Sequence, residues 1–205
     1  VFWTKNPEPI IPWLHIPDKA GIGYYFLYTL NDYEKEGLEP NLPPLQERID
    51  SFITLAKTIG KEKVIWRYDP LIKTHELTPD KLITRVENIG NALHPFTEKL
   101  IFSFVQIAPY RKVQKKLLAE SQLFTRNHLL QAEFAEDEKE DFAKHLNTIN
   151  RYWGLNLASC GEKTDLSTHG IAHNKCIDDE LMRRMFPHDQ KLMQFLDTGR
   201  IHALQ

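Results

Sequence analysis

The chain has 205 residues, of which 41% are hydrophobic, and 26 Lys and Arg against 28 Asp and Glu give a formal net charge of -2. This size is large enough for one domain with a sizeable core. The near balance of charge provides no strong field for nucleic acid, and no apolar run approaches the roughly 20 residues that cross a bilayer. Two cysteines are too few for a disulfide-built secreted fold. We therefore expect a cytoplasmic protein with no membrane partner, and the balanced charge disfavours a nucleic-acid partner.

Short apolar runs that end in polar residues are the main strand signal. The runs cover residues 1–3, 24–27, 64–66, 101–105 and 155–157. A helical pattern follows most of them, and repeated strand–helix units predict an α/β fold with parallel strands. We expect a single (βα) barrel-type domain over 1–205, partial or open and similar to a TIM barrel. In such folds ligands bind at the carboxyl ends of the strands.

Apolar residues at helical spacing predict the helices between these runs. They cover residues 45–59, 79–93, 111–124, 137–153, 177–185 and 191–196. Gly60 and Gly154 are placed to end two of them, and Pro79 occupies the first position of another, after Thr78. The chain has no initial Met and its first residues already resemble the end of a strand, so we expect residues before Val1 to be missing.

The longest linker, residues 31–44, is acidic and contains proline. Loops of this length are often functional, and this one follows a strand on the side where ligands bind. A solvated excursion on the surface explains it equally well. Both interpretations stay open at the level of sequence.

The sharpest local motif is Arg67-Tyr68-Asp69-Pro70 at the end of a predicted strand. Alternation along a strand places Arg67 and Asp69 on the same face. A charged pair at the end of a buried strand requires pairing or a ligand. One interpretation is an arginine that binds an anionic substrate beside a carboxylate that orients it or accepts a proton. The other is an ion pair that only closes the rim of a barrel.

Three further side chains follow strand ends and are candidates for substrate contacts. Lys5 is suited to bind a phosphate or carboxylate, or to act as a base if desolvated. Gln106 is placed to hydrogen-bond a ligand or the backbone, and Tyr28 is a weaker candidate. Each is explained as well by an ordinary structural role.

Metal-capable side chains are concentrated near the carboxyl end of the chain. Cys160, Glu162 and Cys176 lie there together with His169 and His173. Cysteine, histidine and carboxylate are the usual zinc ligands, but the spacing matches no tight metal motif. We retain Cys160 and Cys176 as candidate metal ligands and expect ordinary roles for the histidines.

Several short segments together resemble a bacterial family catalogued only as domain of unknown function 1848. They are 2–7 (FWTKNP), 25–31 (YFLYTLN), 38–41 (LEPN), 66–70 (WRYDP), 160–162 (CGE), 170–171 (GI) and 176–178 (CID). The resemblance covers essentially the whole chain. The positions that match the family's motifs are Lys5, Asn6, Arg67, Asp69, Cys160, Glu162 and Cys176.

The resemblance implies an additional strand before this chain and a cysteine-rich segment after it. In full-length members that segment is similar to the iron–sulfur ligand runs of radical S-adenosylmethionine enzymes. This implies an iron–sulfur cluster and S-adenosylmethionine as cofactors of the full-length protein. The family pattern also makes Asn6 a candidate for substrate binding.

Three functional hypotheses follow. The first is a radical S-adenosylmethionine-like enzyme that uses Lys5, Arg67, Asp69 and Glu162 on a small polar or anionic substrate. The second is a divalent-metal-dependent hydrolase or isomerase, with an ion held by Asp69, Glu162, Cys160 or a histidine. The third is a binding module without catalysis.

Overall fold

Six parallel strands form a single sheet in the computed structural model, which describes residues 1–120, 123–126, 128–175 and 177–198. They are β1 (Phe2–Thr4), β2 (Phe26–Thr29), β3 (Val64–Leu71), β4 (Lys99–Phe104), β5 (Asn156–Ser159) and β6 (Ala172–His173). Each strand pairs in parallel with the next one in chain order. The predicted α/β fold with parallel strands is confirmed. The sheet is open over the described residues, and closer similarity to a TIM barrel stays a prediction.

Seven α-helices connect or follow these strands in the described part of the chain. They are α1 (His15–Lys19), α2 (Leu45–Ile59), α3 (Pro79–Leu93), α4 (Arg111–Glu120), α5 (Glu136–Trp153), α6 (Asp179–Met185) and α7 (Gln190–Asp197). The predicted bounds of α2 and α3 are confirmed, and α5 begins one residue earlier than predicted. Sequence analysis missed α1, which buries no residue, and β6, whose two residues are both exposed. None of the helices in this part of the chain is long and apolar enough to span a membrane.

Alternation along the strands divides the sheet into two faces. The outer face carries Tyr28, Trp66 and Phe102, which belong to one large core with apolar residues of α2, α3 and α5. The inner face carries a second, smaller cluster, formed by Tyr25, Leu27, Ile65, Ile101 and Ala158 together with Leu181 of α6.

Close packing between α3 and α5 supports the sheet from outside. Trp153 packs its indole directly against Gly90, where an added Cβ atom would lie 2.2 Å from the ring. Its Nε1 donates a hydrogen bond of 2.9 Å to Asn91 Oδ1. The same ring meets Trp66 of β3 edge-on, with 6.2 Å between centroids. The absence of a side chain at position 90 therefore sets how closely these helices approach.

Candidate functional site

Arg67 and Asp69 lie in direct contact at the carboxyl end of β3. Arg67 pairs with Thr29 of β2 and Ile101 of β4, which places its side chain on the inner face. Its Nη2 donates to Asp69 Oδ2. The Arg67 side chain is only 2% exposed, whereas that of Asp69 is 23% exposed. Two guanidinium nitrogens of Arg67, Nε and Nη1, are buried without a hydrogen-bond partner.

Asp69 is held in a fixed orientation by its neighbours. Ser103 of β4 donates its hydroxyl to Asp69 Oδ1. Asn31 binds the backbone on both sides: Asp69 N donates to its Oδ1 at 2.9 Å, and its Nδ2 donates to Asp69 O at 3.1 Å. The register of β3 against β4 shifts between Tyr68 and Leu71, and the Asp69–Pro70 peptide bond within the shift is cis. The carboxylate is therefore oriented by side chains of β3 and β4, and Asn31 of the loop after β2 holds the backbone of Asp69.

Trp3 of β1 covers the guanidinium of Arg67. The Cζ of Arg67 lies 4.1 Å from the centroid of the Trp3 ring, as in a cation–π pair. The Nε1 of Trp3 is 3.4 Å from Thr29 Oγ1 on the intervening strand. Although it contacts Arg67, Trp3 keeps 60% of its surface exposed. The indole therefore lies across β2, with Arg67 on one side and solvent beside it.

A loop between β2 and α2, residues 30–44, lies at the carboxyl end of the sheet. We call it the β2–α2 loop. Its Asn31 Nδ2 donates to Glu39 Oε1 at 3.0 Å, and Lys5 Nζ binds the same carboxylate oxygen. Asn31 thus connects the Lys5–Glu39 pair to Asp69. Tyr33 donates its hydroxyl to Pro70 O at 2.7 Å. The loop residues Leu30, Asn31 and Tyr33 are buried, so the loop is packed against the sheet, and a functional role for it stays a prediction.

Two arginines hold this loop in place. The guanidinium of Arg48 in α2, whose side chain is 2% exposed, donates from Nη1 to Asn31 O and from Nε to Pro43 O, both at 2.9 Å. Arg85 of α3 donates to Asp32 O at 2.6 Å and binds Glu36 through two nitrogens. Burial raises the pKa of the Asp32 carboxyl, and the nearby Arg85 guanidinium opposes this rise.

Sequence analysis missed Arg48, Glu39, Asn31, Ser103 and Trp3 as part of this site. A signal for Arg48 exists, because it falls between Leu45 and Phe52 on the apolar stripe of α2, where a charge needs a partner. Trp3, Asn31 and Glu39 fall within the segments 2–7, 25–31 and 38–41 that carry the family resemblance, but these segments do not predict their contacts in the site, and Ser103 has no local signal. Their proximity to Asp69 depends on strands and loops that are distant in the chain.

The candidate substrate-binding residues lie in three different places. Tyr28 points into the outer core, where it stacks on Phe52 and donates to Arg48 O at 3.1 Å, and burial raises the pKa of its hydroxyl to about 12. Asn6 accepts from Glu8 N in a local turn after β1. The amide of Gln106 donates to Gly161 O at 2.6 Å and so joins the ends of β4 and β5.

Glu162 follows β5 and shapes its own loop. Its Oε1 accepts from the backbone N–H groups of Lys163 and Thr164 at 2.7 and 2.9 Å. It also accepts from Lys139 Nζ of α5 at 3.1 Å. These contacts connect Glu162 to α5, whereas the contacts of Asp69 connect it to β3, β4 and the β2–α2 loop.

The structure describes Cys160 but not Cys176, so their pairing as metal ligands stays a prediction. Cys160 packs against the inner-face cluster that contains Leu181, and Cys176 lies outside the described residues. Between His169 and His173, Gly170 adopts a left-handed conformation with φ of 71°. Among the described residues, no three or more His, Cys, Asp or Glu side chains are grouped so as to hold a metal ion.

The cysteines of this chain are too few to hold an iron–sulfur cluster. Clusters of the common types are held by four cysteine thiolates, and the chain has two. These residues alone therefore do not provide a complete ligand set.

Comparison with known proteins gives a family without an assigned activity. No curated protein matches the chain. The model of one family, described as Domain of unknown function (DUF1848), matches residues 1–200. This match covers the strand ends, the β2–α2 loop and every residue of the Arg67–Asp69 site. The chain therefore belongs to the DUF1848 family.

Proposed function

We propose that this protein is an enzyme that binds a small anionic substrate, a carboxylate or a phosphate, on the inner face at the carboxyl ends of β2, β3 and β4. The observation that carries the proposal is Arg67, a buried guanidinium with two nitrogens that lack hydrogen-bond partners. A buried N–H group without a partner costs about 1–3 kcal/mol, and a bound ion is one of the explanations for such a group in a native structure. An oxyanion that reached them would remove this cost.

The proposed roles follow from the contacts of each residue. Arg67 binds the anionic group, because a guanidinium matches carboxylate and phosphate oxygens. Asp69 acts as the acid or base, because its carboxylate is partly exposed and oriented by Ser103, while Asn31 holds its backbone. Lys5, whose side chain is 45% exposed, adds positive charge at the mouth of the site. Glu162 contributes by shaping the adjacent loop.

Ligand-induced stabilisation tests this proposal directly. Small carboxylates and phosphate esters are added to the chain, and the melting temperature is measured. A ligand at 100 times its Kd should raise the melting temperature by about 5–11 °C, and Arg67→Met should abolish the shift. Arg151→Met, at an exposed position near the end of α5, is the matched control and should keep the shift. A panel without a shift, or a shift unchanged by Arg67→Met, would contradict the proposal.

The more specific form of this proposal, which rests on the family resemblance, is radical S-adenosylmethionine chemistry in a reducing cytoplasm. The cluster would supply the electron that cleaves S-adenosylmethionine, while Arg67 and Asp69 would hold the substrate. Since this chain has only two cysteines, such a cluster needs thiolates from outside these 205 residues. The full-length gene product, purified anaerobically, should contain iron and sulfide and cleave S-adenosylmethionine when reduced. An iron-free product without this activity would contradict this form and leave the anion site intact.

The same site bears on the other two hypotheses, a metal-dependent enzyme and a binding module without catalysis. A divalent-metal-dependent hydrolase or isomerase gains no support, because Asp69, Glu162 and Cys160 contact different partners. A binding module would share the anion site with the proposed enzyme. Replacement of Asp69 by Asn should separate them under conditions where the variant stays folded, since it would remove turnover from an enzyme, whereas a module would still bind the anion through Arg67.

A further inference from the structure

Trp3 is held over the guanidinium of Arg67 by few contacts. It belongs to β1, a strand of three residues at one edge of the described sheet. Its Nε1 makes only a long hydrogen bond of 3.4 Å to Thr29 Oγ1, and 60% of the residue is exposed. By contrast, Asp69, which also contacts the guanidinium, is fixed by Ser103 of the next strand. Of these two neighbours of Arg67, the indole is the one that can move at the lower cost.

The indole lies beside the guanidinium atoms that need an anion. The Cζ of Arg67 is 4.1 Å from the ring centroid of Trp3, and Nε and Nη1 are bonded to Cζ at about 1.3 Å, so both lie within about 5.4 Å of the centroid. Both nitrogens are buried and lack a hydrogen-bond partner. A cation–π contact offsets part of the buried positive charge but gives these N–H groups no acceptor. An oxyanion would supply the acceptor, but it cannot occupy the space that the ring fills.

We infer that Trp3 is a movable cover of the anion site, whose indole leaves the guanidinium of Arg67 when the oxyanion of the substrate binds; this inference rests on the proposed function. The contact with the ring favours the covered form, so the anion binds only the fraction of molecules in which the ring has moved. A cation–π contact shifts this balance about 2- to 30-fold, and the cover weakens anion binding by about the same factor. An anion that binds too weakly to compete with the ring is therefore kept out of the site.

Removal of the ring tests the inference, because it should strengthen anion binding. Inorganic phosphate and acetate are titrated by calorimetry into the 205-residue chain and into Trp3→Ala. We expect Trp3→Ala to bind the preferred anion about 2- to 30-fold more tightly than the parent chain does. The matched control is Trp13→Ala, at a tryptophan that is also 60% exposed and stacks near His15, and it should bind like the parent. Trp3→Ala combined with Arg67→Met should lose binding, which assigns the gain to this guanidinium.

Fluorescence of the parent chain reports the movement of the ring itself. Acrylamide quenching of tryptophan emission is measured without anion and at a saturating concentration of the preferred anion. We expect quenching to increase when the anion binds, because the Trp3 indole leaves Arg67 and becomes more exposed. Trp3→Phe should lose this increase, and Trp13→Phe should keep it. If Trp3→Ala does not fold, this measurement on the parent chain decides.

The outcomes separate this inference from the proposed function. Equal or weaker anion binding by Trp3→Ala, together with binding by the parent that Arg67→Met abolishes, would overturn the inference and leave the anion site standing. Acrylamide quenching that does not change at a saturating anion concentration would do the same. Anion binding by Trp3→Ala but not by the parent would support both. No binding by either chain would overturn both.

Discussion

Replacing Asp69 alone should destabilise the protein far more than replacing both Arg67 and Asp69. Asp69→Asn leaves a guanidinium that is 2% exposed, with two unpartnered nitrogens and without its anionic partner. Leaving a charge buried in this way costs about 3–5 kcal/mol, and the cation–π contact with Trp3 offsets a small part. Arg67→Met should cost less, about 1–2 kcal/mol, because Asp69 is 23% exposed and stays partly hydrated. The double variant Arg67→Met with Asp69→Asn should lie within about 1 kcal/mol of the parent.

Urea unfolding of the three variants measures this coupling. With a slope of about 2 kcal/mol per molar urea, Asp69→Asn should lower the midpoint by about 1.5–2.5 M, and the second substitution should restore most of it. The control is the exposed pair of Arg184 and Glu98, whose side chains are 55% and 32% exposed and which should show coupling below about 1 kcal/mol. Additive costs in the Arg67–Asp69 cycle would refute the argument, because they would mean that the two charges do not depend on each other.

Three further predictions concern the loop, the helix packing and pH. Arg48→Met should release the β2–α2 loop and speed its cleavage by glutamyl endopeptidase several-fold, whereas Arg151→Met should not; equal cleavage would contradict the anchoring role. Gly90→Ala should destabilise the protein by about 1–3 kcal/mol in urea unfolding, because the new Cβ meets the Trp153 ring, and an unchanged midpoint would contradict this packing. Burial raises the pKa of the Tyr28 hydroxyl from 10.0 to about 12. The neutral hydroxyl therefore contributes its full stabilisation of the fold below pH 10. This stabilisation is lost between pH 10 and 12, because the unfolded chain loses the proton at lower pH than the folded chain does. In Tyr28→Phe the urea midpoint should therefore decrease less between pH 10 and 12 than in the parent chain, and an equal decrease in both would contradict this prediction.

Local sequence determined the elements because their signals lie within a few residues. The helical spacing from Leu45 to Ile59 and the Gly that follows predicted α2, and Pro79 marked the start of α3. Alternation along β3 predicted that Arg67 and Asp69 share a face, and the structure places them in contact. Elements without a buried stripe, such as β6, left no comparable signal.

The sequence by itself therefore determined the α/β class, the parallel strands and the charged pair at a strand end. Only the tertiary structure decided which groups surround that pair: Trp3 comes from two strands away, Ser103 from the next strand, and Asn31 from a long loop. It also placed Tyr28 in the core and Glu162 against α5. The physical reason is that helix and strand patterns are local, whereas the composition of a site at strand ends depends on register and on loop contacts between residues far apart in the chain.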